Sequence, residues 1–358
     1  MRKIPRSGRC GNLSAFSINS RLKKITSLLL GAGFLAWLVL SSGIGSILDD
    51  LWRVGPGLLV IIALELVIDA FNTVGWWFTL PVAERAGNCR RLFWVRCAGN
   101  ALNEATPAAS LGGEPAKILL LRGQISTSAA TASLLATKVL FSFSTAIFIV
   151  AGTVAIWPRL SLPRDISLVL ISSFVLMLIG ITVFAILQVR GIGAGTVRVL
   201  RSLRIPDRWL ALIESSSYDI DAHLRDFYRA RTGDLICSVG SHLCGFALSA
   251  VQALLMIGWL GLGFDPIAAL GIEAFSALVT FVAFAIPASI GVQEGGKVLI
   301  FWALGLPRSA AMAIGIAFRL TSLIKIAMGL IIFILLQHRS PDLPGPTGGV
   351  RITSIDGP

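Results

Sequence analysis

The sequence predicts an all-α fold: a polytopic transmembrane helical bundle of about six full spans plus two re-entrant hairpins, arranged as an inverted-topology repeat. Three observations predict it. Hydrophobic residues make up 55% of the 358 positions and charged residues 14%, against roughly 25% charged in a soluble domain, and the mean hydropathy is +0.80. One motif occurs twice, as Pro107-Ala-Ala-Ser-Leu-Gly-Gly-Glu114-Pro-Ala-Lys117 and Pro287-Ala-Ser-Ile-Gly-Val-Gln-Glu294-Gly-Gly-Lys297, each reading Pro, six residues, Glu, two residues, Lys. Finally, the basic residues gather in segments that would share one side of a membrane, the bias of cytoplasmic loops.

Residues 1–24 carry Arg2, Lys3, Arg6, Arg9, Arg21, Lys23 and Lys24 without an acidic residue, which predicts a cytoplasmic N-terminus. A secretory signal is the competing assignment, but the basic region is long and no clear cleavage site follows. The first repeat unit, 25–156, contains spans at 25–45, 57–80 and 129–156 and a hairpin over 97–121. Asp49, Asp50 and Arg53 fall in an external loop, and Arg85, Arg90, Arg91 and Arg96 in a cytoplasmic one. An external loop at 157–165 leads to the second unit, 166–336, with spans at 166–189, 235–262 and 309–336 and a hairpin over 266–305. Between its first two spans, residues 206–231 show Trp209, Ile213, Ile220, Leu224 and Phe227 at helical spacing. This predicts an amphipathic cytoplasmic helix, either a linker between repeats or a contact for anionic lipid headgroups. Residues 337–358 are rich in proline and glycine and read as a disordered cytoplasmic tail. If 266–286 crosses fully despite Glu273, the inversion is lost; charge placement favours the hairpin.

The repeated motif carries the chemistry. Gly112 and Gly113 permit a tight turn before Pro115, which suits the first turn of a helix; Pro107, Pro287 and Gly291 complete the predicted hairpin set. Half-helices are expected to begin near Glu114 and Glu294, with free N–H groups and a positive dipole end facing the membrane interior. Lys117 and Lys297 follow one turn later as anion contacts. The glutamates are either simple helix-end caps or proton-exchanging or cation-coordinating carboxylates. Glu65, Asp69, Asn72 and Trp76 form one polar stripe on the second span. Lys138 and Arg319, at equivalent offsets in the two units, are expected as its counter-charges, with Lys325 deeper. This stripe is either structural or a polar pathway for a headgroup or proton.

Other classes are excluded by pattern. The net charge of +12 follows membrane loops and implies no nucleic-acid partner. The cysteines and the scattered histidines lack ligand spacing, so no metal and no cofactor is expected. Walker, Gly-x-Ser-x-Gly and His-Glu-x-x-His motifs are absent from the sequence, and the chain is not expected to be an enzyme.

The segment Asn103 through Lys117, together with Pro287 through Glu294, resembles the paired signature of the lysylphosphatidylglycerol synthase transmembrane region, or flippase-like, family, over roughly residues 20–337. The second copy departs in Val292-Gln293, where many members have a basic residue beside the glutamate. The resemblance implies a bacterial inner membrane protein with a membrane lipid as substrate, moved between leaflets. It also implies a stand-alone member without the aminoacyl-transferase domain, of a kind that occurs in hopanoid-biosynthesis contexts. The alternatives are an intramembrane enzyme of lipid headgroup modification and a non-transporting accessory protein of lipid synthesis.

Overall fold

The structure, a computed structural model, describes residues 40, 44–105, 112–160, 163–191, 202, 207–282 and 292–338. Among these the chain is helical and strand-free. The order is α1 (Ile44–Val54), α2 (Gly57–Thr79), α3 (Cys89–Ala105), α4 (Gly113–Leu121), α5 (Thr127–Ile156), α6 (Arg164–Arg190), α7 (Asp207–Ala230), α8 (Thr232–Trp259), α9 (Pro266–Val282), α10 (Val292–Ala303) and α11 (Arg308–His338). Helices α2, α5, α6, α8 and α11 are each long and apolar enough to cross a membrane. They coincide with five of the expected spans; the sixth, at 25–45, lies outside the described residues except for 40, 44 and 45, and the tail does so from 339 onward. Asp49, Asp50 and Arg53, expected in a loop, are helical in α1. The first arm of the first hairpin begins at Cys89, ahead of the expected boundary at 97.

Helix ends are set by local chemistry. Ser126 caps α5 through Oγ, which accepts from Ala129 N at 3.3 Å, and is itself held by Glu84, whose Oε2 accepts from Ser126 N at 2.9 Å. Asp265 opens α9, its Oδ1 accepting from Ile267 N at 3.0 Å and Ala268 N at 3.1 Å. These bonds satisfy N–H groups that have no intrahelical partner.

Packing follows an exchange pattern between the two units. Helix α2 lies along α8, its counterpart in the duplication. Helix α3 packs on α11 of the other unit, and α9 reciprocates on α5. The outer contacts match as well, α1 against α11 and α6 against α5. Each exchanged crossing uses a glycine where helices meet closely. A Cβ on Gly329 of α11 would stand 2.5 Å from both Cys97 O and the Ala101 Cβ of α3, and Gly152 of α5 abuts Leu270 and Ala274 of α9. Small residues at such crossings let backbones approach in a lipid environment, where packing replaces hydrophobic drive.

Two of the apolar clusters among the described residues lie around the hairpins. Trp76, Leu92, Val95, Leu120, Leu121 and Ala129 surround the first hairpin. Ile61, Met256, Ile272, Phe275, Ile300 and Phe301 surround the second. Helix α6 presents Leu168, Val169, Leu176 and Ile179 outward, the surface expected to contact acyl chains. On α7, Leu224 and Phe227 are buried against Ala132, Ala136 and Leu140 of α5. The apolar face of this amphipathic helix is therefore covered by protein at these positions, because the long α5 offers small residues for it to lie on.

Candidate functional site

Among the described residues, a short helix carries the end of each copy of the repeated motif. Helix α4 starts at Gly113 and α10 at Val292, so Glu114 and Glu294 each stand in a first turn. Pro115 also lies in that turn of α4, where its missing N–H has no intrahelical partner. Pro107, Pro287 and Gly291, expected from the sequence to form the hairpins, lie outside the described residues. Gly112 precedes α4, and Gly113 packs so close to the opposite arm that a Cβ would collide with Gly99 O. Asn103 crosses the hairpin: its Oδ1 accepts from Gly113 N at 2.7 Å and its Nδ2 donates to Glu114 Oε1 at 3.2 Å. The α4 terminus is thus capped from α3, and the same asparagine helps to position the glutamate oxygen that the cations also reach.

Glu114 Oε1 lies 3.1 Å from Lys117 Nζ and 3.2 Å from Lys138 Nζ. Lys117 is buried while the Lys138 side chain is about half exposed. A cavity of about 270 Å³ opens beside them, lined by Trp76, Arg96, Asn103, Glu114, Lys117 and Lys138 among others. In the second unit, Arg319 reaches Glu294 Oε1 with Nη2 at 2.6 Å and Nε at 3.1 Å. Lys297 lies 5.2 Å from the Phe318 ring centroid, with Nζ 3.4 Å from Ser276 Oγ. A smaller cavity, about 40 Å³, is lined by Glu294, Lys297, Gly315, Phe318 and Arg319.

The polar stripe on α2 faces protein, as its burial requires. Its counter-charges differ from the expectation. Lys325 Nζ stands 2.7 Å from Glu65 Oε2 and 3.0 Å from Asp69 Oδ2, and Arg96 Nε lies 3.6 Å from Asp69 Oδ1. Lys138 and Arg319 serve the hairpin glutamates of their own units instead. The reason is angular: Arg319 and Lys325 share α11 but are six residues apart, about 240° around the axis, so they face different neighbours. The remaining stripe residues join α8 and α5: Asn72 Oδ1 meets His242 Nδ1 at 2.7 Å, and Trp76 Nε1 donates to Ser133 Oγ at 3.1 Å. Arg96 and Asn103 were missed as site residues, although Arg96, Asn100 and Asn103 recur at steps of four and three, a polar stripe on α3.

A model of the lysylphosphatidylglycerol synthase TM region matches residues 24–329. The chain belongs to that family. A UPF0104 membrane protein of Methanothermobacter thermautotrophicus is similar to it, 30% identical over 155 residues that make up 42% of this chain and 46% of the relative. The chain thus matches about half the length of that curated relative. No solved structure matches. As a member of the lysylphosphatidylglycerol synthase TM region family with several spanning helices, the chain is a multi-pass membrane protein.

Proposed function

We propose that this protein is a lipid translocase of a bacterial inner membrane, its termini cytoplasmic, which moves an amphiphilic lipid between leaflets without altering it chemically. The observation that carries the reading is the duplicated carboxylate–cation cluster, Glu114 with Lys117 and Lys138 and Glu294 with Arg319, each beside a cavity within an apolar bundle. Charges at such positions cost about 2.5 to 3.5 kcal/mol each on insertion scales and are retained mainly when paired or functional. An anionic headgroup entering the first cavity competes with Glu114 for the two lysines. The displaced carboxylate then takes a proton or a cation, because an uncompensated charge in a low-dielectric site is unfavourable. Glu294 with Arg319 forms the second charged position along the path, at the other hairpin. Acyl chains remain in lipid along the apolar outer helices.

Leaflet-resolved lipid analysis of cells carrying the wild-type chain, no chain, or the Glu114→Gln and Glu294→Gln double variant tests this. The expected result is a lipid stranded in one leaflet, unchanged in structure and total amount, in both the deletion and the double variant. A lipid missing or chemically altered would place the protein in synthesis and end the translocation reading.

A further inference from the structure

The two halves of the duplication are unequal in charge and in space. Arg96 precedes Glu114 by the same interval as Ser276 precedes Glu294, so the first hairpin has a guanidinium where the second has a hydroxyl. The first cavity is lined by three cations, Arg96, Lys117 and Lys138, and by Glu114 as its acidic group. The second is lined by Lys297, Arg319 and Glu294, and there Arg319 already engages its carboxylate through two nitrogens. The volumes differ in the same sense. About 270 Å³ approaches the size of a small-ligand site, whereas about 40 Å³ holds a few waters.

Glu65 and Asp69 set two carboxylates against the single ammonium of Lys325, so Arg96 is the second cation beside the α2 stripe while it also lines the first cavity. Asp69 has Lys325 at 3.0 Å, while Arg96 Nε stays at 3.6 Å and, among the described residues, makes no hydrogen bond. At the other wall of the cavity, Glu114 Oε1 is shared by Lys117, Lys138 and the neutral amide of Asn103, so one carboxylate faces two ammonium groups. The surplus of cations lining this cleft favours a ligand with clustered anionic oxygens, and a planar guanidinium fork matches phosphate oxygens better than an ammonium does.

We propose that Arg96 makes the first hairpin cavity a binding site for a phosphate group, and that its duplicate in the second hairpin lacks an equivalent site. The phosphate belongs to a lipid headgroup or is free phosphate; only the lipid source rests on the translocation reading. The site would hold an anionic group at one stage of passage and not at the other, which makes the two hairpins functionally distinct despite their common origin.

The test is native mass spectrometry of the detergent-purified full chain with three probes: phosphatidylglycerol, diacylglycerol of the same acyl composition, and inorganic phosphate. Retention of phosphatidylglycerol over diacylglycerol is expected, with Arg96→Gln weakening that retention on the order of tenfold or more, the loss of a charge-assisted contact. Arg96→Lys should fall between the two, since it keeps charge and loses the fork. Competition by inorganic phosphate would show that the phosphate alone suffices; retention without competition would assign the site to the lipid headgroup. Equal retention of the two lipids, or wild-type retention by Arg96→Gln, overturns the proposal. An Asp69→Asn/Arg96→Gln chain, in which Lys325 still faces Glu65, provides the second variant should Arg96→Gln fail to fold. Recovery of retention in that pair would reduce Arg96 to a structural partner of Asp69 and also overturn the proposal. Lost retention with unchanged leaflet distribution in cells would keep the phosphate site and defeat translocation.

Discussion

Replacing Lys325 with Met keeps most of the side-chain stem and removes an ammonium that lies within 3.0 Å of carboxylates from both Glu65 and Asp69. The Lys325 side chain is 24% exposed and that of Asp69 8%, so the two carboxylates would remain in a largely dry contact with Arg96 at 3.6 Å from Asp69 as the nearest described cation. Removing one partner of a buried ion pair costs about 3–5 kcal/mol. An unfolding entropy near 2.1 cal/mol/K per residue makes 1 kcal/mol worth roughly 1.3 °C in a chain of 358 residues. The expected fall in apparent Tm is therefore about 4–7 °C, followed by tryptophan fluorescence during heating of the detergent-purified chain. Adding Glu65→Gln should recover more than half of the loss, since Asp69 then retains Arg96 while the other uncompensated carboxylate is gone. A Lys325→Met chain within about 1 °C of wild type, or a double variant less stable than the single, would show that these charges are not held in the dry arrangement described.

Two other outcomes follow from the hairpin and its surroundings. Gly113→Ala should lower Tm by about 1–4 °C, the cost of overpacking of about 1–3 kcal/mol, because its Cβ would meet Gly99 O and the Asn103 amide, neither of which can withdraw without opening the hairpin; unchanged Tm would refute that contact. Asp265→Ala should cost about 1 kcal/mol of cap energy at neutral pH, measured by the same melts. The Asp265 carboxyl is held below its ordinary 3.8 first by the Ala268 N–H and further by Arg159, whose Nη1 lies 2.5 Å away, while slight desolvation opposes. A depressed folded-state pKa gives stability that is full above the unfolded value and lost as pH falls through the folded one. The difference between wild type and variant should thus shrink below about pH 4; a difference independent of pH would remove the carboxylate from the account.

Much of the architecture was legible in the sequence because its causes are local or compositional. Apolar runs of about 20 residues can satisfy their backbone within a bilayer only as helices, and α2, α5, α6, α8 and α11 occupy such runs. The repeated Pro, Glu and Lys spacing likewise located the starts of α4 and α10, since a glycine turn and a first-turn acidic residue are short-range signals. The periodicity of α7 showed an amphipathic helix, but not that α5 covers its apolar face at Leu224 and Phe227. That depends on how helices cross, which hydropathy does not encode.

The pairing of charges was decided only by the tertiary structure. From sequence, Glu65, Asp69, Glu114 and Glu294 were carboxylates in search of cations, and Lys138, Arg319 and Lys325 lay at depths that allowed several assignments. The rotation of α11 about its axis turns Arg319 to Glu294 and Lys325 to the α2 stripe. The exchanged packing of α3 on α11 then brings Arg96 between Asp69 and the first cavity. The sequence alone determined a duplicated helical membrane protein with charged groups in its interior, because transfer into lipid acts on each residue by itself. Which charges meet, and which cavity keeps a surplus, required the fold, because Coulomb energy depends on distances between helices far apart in the chain.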